Sequence, residues 1–196
     1  NCVLLWNQFP TLNGQAADVV IGQANFNSNA AGAVSASSLD KPCGMAFGQN
    51  RFFVADTSRH RVLAWEGFPT TNGQAANFVV GQPNMTDSAA NAGAGQGATS
   101  LNAAGFNFVY GGGVAAGAGS LFVADTQNQR VMVFTPIPTS TGASANAVLG
   151  RPDFMTTGLA FASATTLHPY DVTVAGNRLF VVDNSFNRAV RFNLTP

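Results

Sequence analysis

Ser120–Phe134 reads SLFVADTQNQRVMVF, and this segment occurs three times in the chain with small changes. It aligns without a gap with Arg51–Trp65, RFFVADTSRHRVLAW, and with Arg178–Phe192, RLFVVDNSFNRAVRF. In each copy an Arg follows the Asp by five residues, and an aromatic residue follows it by nine. Self-similarity at this interval indicates stacked supersecondary units and not one irregular domain.

The repeat extends beyond this stretch on both sides. On the C-terminal side, an aromatic residue, a Pro, a Val and a Gly recur at constant spacing: Trp6, Pro10, Val20 and Gly22; Trp65, Pro69, Val79 and Gly81; and Phe134, Pro138, Val148 and Gly150. On the N-terminal side, an apolar residue lies eleven positions before each Asp: Met45, Val114 and Val172. These positions divide the chain into units of roughly 1–38, 39–100, 101–166 and 167–196, and the first and last units are incomplete.

Each complete unit is predicted to contain four short strands. In the second unit these are Met45–Phe47, Phe52–Ala55, Val62–Trp65 and Asn77–Val80. The second of these strands is apolar at every position in all three copies, which predicts burial on both faces of an antiparallel sheet. Four-stranded units that are each covered on two sides by copies of themselves are typical of β-propeller blades. The predicted fold is therefore all-β: a β-propeller of four-stranded antiparallel blades, with about three and a quarter blades in this chain.

Two strings resemble a known repeat family. Leu39–Phe47, which reads LDKPCGMAF, and Leu121–Val131 are similar to the NHL repeat, whose consensus runs from Pro-x-Gly through an apolar strand and Val-Ala-Asp to Asn-x-Arg-Val. The chain departs from the family pattern at three positions: Arg59 and Phe186, where Asn128 keeps the family's Asn, and Cys2, which replaces the repeated Arg. The resemblance implies a six-bladed ring.

An open arc of blades would leave two sheet faces uncovered. If each is roughly 600 Å² of apolar surface, the lost burial is on the order of 15 kcal/mol per face at about 25 cal/mol/Å². That loss exceeds the whole stability of a typical domain, roughly 5–15 kcal/mol. We therefore expect further blades or a second copy of the chain to complete the ring.

The amino-acid composition of the chain limits the classes of partner that we expect. Only 9% of the residues are charged, the net charge is zero and the nine basic residues are scattered. A nucleic-acid binder needs a basic face, so no nucleic-acid partner is predicted. No apolar run is long enough for membrane insertion. A Thr-, Asn- and Ala-rich, Lys-poor surface is typical of secreted or cell-surface bacterial proteins, which predicts an extracellular location.

The repeated Asp and Arg residues are predicted to be structural. Each Asp ends a buried strand, where its carboxylate can accept hydrogen bonds from the backbone of the following turn. Each Arg returns on the next strand, within reach of a charge-assisted pair. Because one copy occurs in every unit, a structural role is favoured over catalysis, which needs a single asymmetric site. The predicted pairs are Asp56 with Arg61, Asp125 with Arg130, and Asp183 with Arg188.

A few other polar residues are candidates for ligand binding. His60 lies in a predicted turn, and His168, Tyr170 and Asp171 lie within four residues of one another just before an innermost strand. The latter three either form an acid/base or metal-binding cluster or belong to a hydrogen-bonded surface loop. In propellers of the kind that the chain resembles, these turns and loops share one face around the channel mouth.

Residues 87–113 form a predicted surface insertion rich in Gly, Ala and Asn. Its aromatic residues Phe106, Phe108 and Tyr110 are predicted contact residues for a partner. The alternative is a flap folded over the adjacent unit. The two cysteines, Cys2 and Cys43, either form one disulfide in an oxidising compartment or remain small thiols.

These observations predict a non-catalytic NHL-type propeller that acts as an extracytoplasmic binding or assembly module. It would contact a protein or glycan through its channel-mouth loops and the 87–113 insertion. Catalytic residues, bound metal and cofactors are not predicted. The alternative is a lyase or hydrolase whose metal-assisted site is completed by blades outside this chain, because the family that the chain resembles includes an amidating lyase with metal-held histidines.

Overall fold

The computed structural model describes residues 1–101, 112–156, 158 and 161–194. Over these residues the chain forms thirteen β-strands, four short 3-10 turns and no α-helix, which confirms the predicted all-β class. In this part of the chain, no helix has the length and apolar character needed to span a membrane.

The strands form four antiparallel sheets, and within each sheet the hydrogen-bonded neighbours follow sequence order. The first sheet has two strands, the second and third have four each, and the fourth has three. The strands are β1 (Val3–Leu5) and β2 (Val19–Ile21); β3 (Pro42–Gly48), β4 (Arg51–Asp56), β5 (Arg61–Glu66) and β6 (Phe78–Val80); β7 (Val114–Gly117), β8 (Ser120–Asp125), β9 (Arg130–Phe134) and β10 (Ala147–Leu149); and β11 (Pro169–Ala175), β12 (Arg178–Asp183) and β13 (Arg188–Asn193).

The hairpin after the second strand of a unit is the same in all three copies. A single 3-10 turn follows the Asp, and the residue before the Arg adopts the left-handed conformation, at φ 51° for His60, 56° for Gln129 and 51° for Asn187. The hairpin places each Asp directly opposite its Arg across the two strands. The three turns have the same conformation although their residues differ, because the length of the turn fixes the register of the hairpin.

Alternating side chains of one strand enter the cores on its two faces. Phe52 and Val54 of β4 pack with Val3 and Ile21 of the first sheet. Phe53 and Ala55 pack with residues of the third sheet. The second sheet therefore lies between its neighbours, as its uninterrupted apolar strand predicts.

The third sheet repeats this arrangement, and the fourth does not. Phe122 and Ala124 of β8 pack with Leu179 and Val181 of β12. Val182, on the opposite face of β12, is 48% exposed. Burial on both faces is therefore confirmed for β4 and β8 and wrong for β12, because no sheet in the described part of the chain covers its outer face.

A Gly–Leu contact links each sheet to the unit that follows. Gly81 ends the second sheet at φ +90°, and a Cβ placed there would lie 2.4 Å from the Leu101 side chain. The same contact joins Gly22 to Leu39 and Gly150 to Leu167. Gly is required because its φ is positive and because the buried Leu occupies the space that a side chain would need.

Candidate functional site

The first strands of the second, third and fourth sheets, here called the inner strands, line a cleft of about 370 Å³. Among the described residues, these strands, β3, β7 and β11, each lie at the edge of their own sheet and pair with one neighbouring strand. The side chains along the cleft are small or apolar over most of its length, and Asp171 supplies a carboxylate near one end. Some backbone groups at this end of the cleft are already paired: the Gly112 N–H donates to the Tyr170 carbonyl, and the Val172 N–H donates to the Asp171 carboxylate.

Two glycines allow the inner strands to approach so closely. A Cβ on Gly44 of β3 would lie 2.8 Å from the Val114 backbone nitrogen of β7. A Cβ on Gly113 would lie 1.9 Å from a carboxylate oxygen of Asp171. Any larger residue at either position would push the strands apart, so the cleft depends on these two glycines.

Cys43, Tyr170 and Asp171 interact electrostatically where β3 and β11 begin. Burial raises the pKa of the Cys43 thiol, and the negative charge of Asp171 raises it further. Burial also raises the pKa of Tyr170, with an added contribution from Cys43. A thiol with a raised pKa is protonated at neutral pH and is a poor nucleophile. The cluster can donate and accept hydrogen bonds, but its electrostatics do not favour covalent catalysis.

The sequence interpretation included Tyr170 and Asp171 but missed their link to Cys43. The repeat alignment contained the signal, since Cys43 and Tyr170 lie at the same position of their units, two residues before Met45 and Val172. Equivalent positions of two units come together because the inner strands converge on one cleft.

His168 forms its hydrogen bonds with residues outside that cluster. Its backbone N–H donates to the Asp183 carboxylate at 2.7 Å, and its ring Nδ1 forms a hydrogen bond with the Ser185 hydroxyl. Burial lowers the pKa of His168; the negative charge of Asp183 opposes this shift, and Arg151 adds to it. No group of three His, Cys, Asp or Glu residues suited to a metal ion occurs among the described residues. These contacts favour the hydrogen-bonded loop over a metal-binding cluster of His168, Tyr170 and Asp171.

His60 has a different setting, near the third sheet. Its carbonyl accepts a hydrogen bond from the Gln82 side chain at 3.1 Å, while its buried Nδ1 has no hydrogen-bond partner among the described residues. Burial lowers the pKa of His60, and the nearby negative charge of Asp125 opposes the shift. The ring is therefore neutral at neutral pH.

Each repeated Arg forms an ion pair with its Asp and also holds the segment that leads into the unit. The Arg Nε lies 2.7, 2.6 and 2.6 Å from the carboxylate of Asp56, Asp125 and Asp183. Each guanidinium NH2 also donates to two backbone carbonyls of the preceding loop: Arg61 to Ser35 and Ser38, Arg130 to Gly97 and Ser100, and Arg188 to Ser163 and Thr166. These contacts hold the loops in place, as expected if the repeated Asp and Arg residues have a structural role.

The predicted hydrogen bonds from the Asp carboxylates to the following turn are wrong. None of the three Asp side chains caps its 3-10 turn. The carboxylate of Asp56 instead accepts the Asp40 N–H at 2.6 Å, and that of Asp183 accepts the His168 N–H. The turn closes with its own backbone bond, from His60 N–H to the Thr57 carbonyl, so the carboxylate can bind the segment that leads into the inner strand.

The predicted contact aromatics Phe106, Phe108 and Tyr110 lie outside the described residues. The described part of the insertion is bound to the third unit. The Asn128 side chain accepts a hydrogen bond from the Gln96 side chain at 2.5 Å and donates one to the Asn91 side chain at 2.8 Å. Residues 91–96 therefore lie against the neighbouring unit, as the flap interpretation expects.

Cys2 and Cys43 line one groove of about 320 Å³ between β1 and β3. The structure contains no disulfide between them. A bridge formed in an oxidising compartment stays a prediction.

No protein-family model matches the chain, and no curated protein matches it.

Proposed function

We propose that this chain is part of an NHL-type β-propeller and that it serves as a non-catalytic module for binding or assembly outside the cytoplasm. The three copies of the Asp–Arg pair and the three Gly–Leu contacts support a repeat that stacks in one way. The low charge content and the single lysine support an extracytoplasmic location.

The observation that carries this proposal is the exposure of apolar side chains on the two terminal sheets. Leu4 and Trp6 of the first unit are 42% and 40% exposed, whereas their repeat equivalents Leu63 and Trp65 are fully buried. Val182 of the fourth sheet is 48% exposed, whereas its equivalent Ala55 is 2% exposed. Apolar side chains that are exposed on a sheet face here, but buried at the equivalent positions of the inner units, indicate an interaction site.

The internal interfaces indicate what covers such a face. Both faces of the second and third sheets are covered by another sheet of the same repeat. We therefore assign the terminal faces to sheets of the same kind, supplied by further units or by a second copy, which together complete the ring. In that ring the turns of His60 and His168 and the insertion at 87–113 would surround the channel mouth, where a protein or glycan partner would bind.

The electrostatics of the polar residues support a module without catalysis. The repeated carboxylates are engaged by arginines, and the raised pKa of Cys43 disfavours the thiolate. A stoichiometric metal ion in the purified protein, measured by elemental analysis, would contradict this part of the proposal and favour a metal-assisted enzyme.

Sedimentation velocity over a wide range of protein concentration tests the assembly role. We expect the chain to self-associate through its bare faces. Leu4→Asp and Val182→Asp should each weaken association by about tenfold or more, because burial of one such side chain contributes roughly 1.5–3 kcal/mol.

The matched control is Leu12→Asp. Leu12 is 75% exposed but lies in a loop outside the sheets, so this variant should associate like the unmodified chain. A chain that stays monomeric at every concentration would contradict the proposal, as would equal effects of all three substitutions.

A further inference from the structure

A groove lies beside β1, along the edge of the first sheet that is opposite β2. Cys2, Val3, Leu4 and Trp6 form one wall, and residues 42–45 form the other. β1 is hydrogen-bonded to β2 only, so its other edge has no partner strand within the described residues. An exposed strand edge is a template for pairing with another extended segment.

The repeat shows what occupies this edge in the complete sheets. β5 and β9 are the equivalents of β1, and on the corresponding edge they pair with β4 and β8. The pairing register is the same in both sheets: Val54 lies opposite Leu63, and Val123 lies opposite Met132. The occupant of this edge is thus a strand that is apolar at four consecutive positions and ends in Asp.

Met45, on the other wall, provides independent support. It is 57% exposed, whereas the equivalent residues Val114 and Val172 are 3% and 4% exposed. Val114 belongs to one core cluster with Phe53 and Ala55, which are side chains of the β4 strand. Met45 is therefore uncovered at the place where the preceding unit would present such a strand.

We infer that the groove between β1 and β3 binds an extended apolar β-strand that pairs antiparallel with β1. By repeat equivalence, its Val lies opposite Leu4, its following Ala opposite Val3, and its Asp opposite Cys2. One face of the strand covers Met45, and the other packs beside Leu4 and Trp6. This inference deepens the proposed assembly role and rests on it for the origin of the strand, which we assign to another unit of the same repeat.

A synthetic peptide of sequence RFFVAD, identical to residues 51–56, tests the inference directly. Trp6 is the exposed one of the two tryptophans, and Trp65 is fully buried. In β4 and β5, the Phe52 ring lies 6.1 Å from the Trp65 ring. The first Phe of the peptide should occupy the same place beside Trp6, so binding should shift the tryptophan emission to shorter wavelength.

Two controls test whether the emission change arises from sequence-specific binding of the peptide beside Trp6. Trp6→Phe should abolish the emission change, and a peptide with the same residues in scrambled order should leave the unmodified chain unchanged. In a Cys43→Ser variant, where Cys2 is the remaining cysteine, the RFFVAD peptide should slow alkylation of Cys2 by tenfold or more. An unchanged emission together with an unchanged alkylation rate, at millimolar peptide, would overturn the inference.

The acidic end of the peptide sharpens the test, because Cys2 stands where the other units have Arg. Cys2→Arg should make binding depend on the peptide Asp, so that RFFVAN binds this variant at least about fivefold more weakly than RFFVAD. The unmodified chain should bind both peptides equally. A fivefold preference for RFFVAD in the unmodified chain would contradict the proposed register.

The outcomes separate this inference from the proposed function. Self-association that depends on Leu4 and Val182, without peptide binding, leaves the assembly role standing and removes the strand site. Peptide binding by a chain that remains monomeric removes the assembly role and keeps the strand site.

Discussion

In the part of the chain that the structure describes, the second and third sheets lie between neighbouring sheets, whereas the first and fourth each have one uncovered face. Trp65 and Trp6 show the difference at one repeat position. The Trp65 indole donates to the Gln74 carbonyl at 3.0 Å, and the Trp6 indole donates to the Gln15 carbonyl at 3.1 Å. The local structure is the same, yet Trp65 is fully buried and Trp6 is 40% exposed. Neighbouring sheets therefore determine burial without changing local geometry.

The ion pairs lead to the same conclusion. Arg130 and Arg188 lie at equal distances from their carboxylates, but the side chain of Arg130 is fully buried and that of Arg188 is 31% exposed. The hairpin register fixes the pair, and the sheet on either side fixes its access to water. A charged pair is more sensitive to the loss of one partner where water cannot replace that partner.

The largest expected effect comes from the two tryptophans. Trp65→Ala removes a fully buried ring, and we expect the free energy of unfolding to fall by about 3–5 kcal/mol. Trp6→Ala removes a ring that is already partly hydrated, so we expect a loss of less than about 2 kcal/mol. Urea denaturation followed by circular dichroism measures both. Equal losses would show that the first sheet is covered in solution.

The arginines come next. Arg130→Met leaves a buried carboxylate without its cation, and we expect a loss of about 3–5 kcal/mol. Arg188→Met should cost about 1–2 kcal/mol, because water reaches the place of the partly exposed guanidinium and replaces part of the lost interaction. The same denaturation experiment compares the two variants. A larger loss for Arg188→Met would contradict the view that burial sets the effect.

The smallest expected effect is a pH dependence from the two histidines. Burial lowers the pKa of both His60 and His168 in the folded state. Below about pH 6.5 the unfolded chain binds protons that the folded chain excludes, so their contribution to stability is present above that pH and is lost as pH falls. His60→Gln and His168→Gln should each reduce the slope of stability against pH between about 7.5 and 5.5. A steeper slope in either variant would mean that the folded state favours the protonated ring.

Much of the fold could be predicted from the sequence because the repeat reports local structure directly. The strand order of the second unit and the pairing of each Asp with its Arg follow from a short hairpin of fixed length. The contact from Asp56 to the Asp40 N–H could not be predicted in this way. It joins two segments whose approach depends on how the inner strand packs, and sequence spacing carries no information on that distance.

The candidate site also combines local features that the sequence predicts with contacts that depend on how the strands pack. Tyr170 and Asp171 were identifiable as a local polar group, but Cys43 joins them only through the convergence of β3 and β11. His168 is adjacent to the group in sequence, yet its ring is hydrogen-bonded to Ser185. The register shift between Pro169 and Asp171 interrupts the regular alternation of side chains in this segment, so closeness in sequence did not indicate a shared site.

The repeating unit, its strands and its hairpins are encoded locally in the amino-acid sequence, because alternation, turn length and the Asp–Arg spacing act over a few residues. The packing of the sheets sets which copies of the same residue are buried and which are exposed to water, such as Trp65 and Trp6 at 0% and 40% exposure. Burial is a property of the sheet that lies across the interface. The same residue at equivalent repeat positions therefore contributes differently to the free energy of unfolding, according to the sheet that covers it.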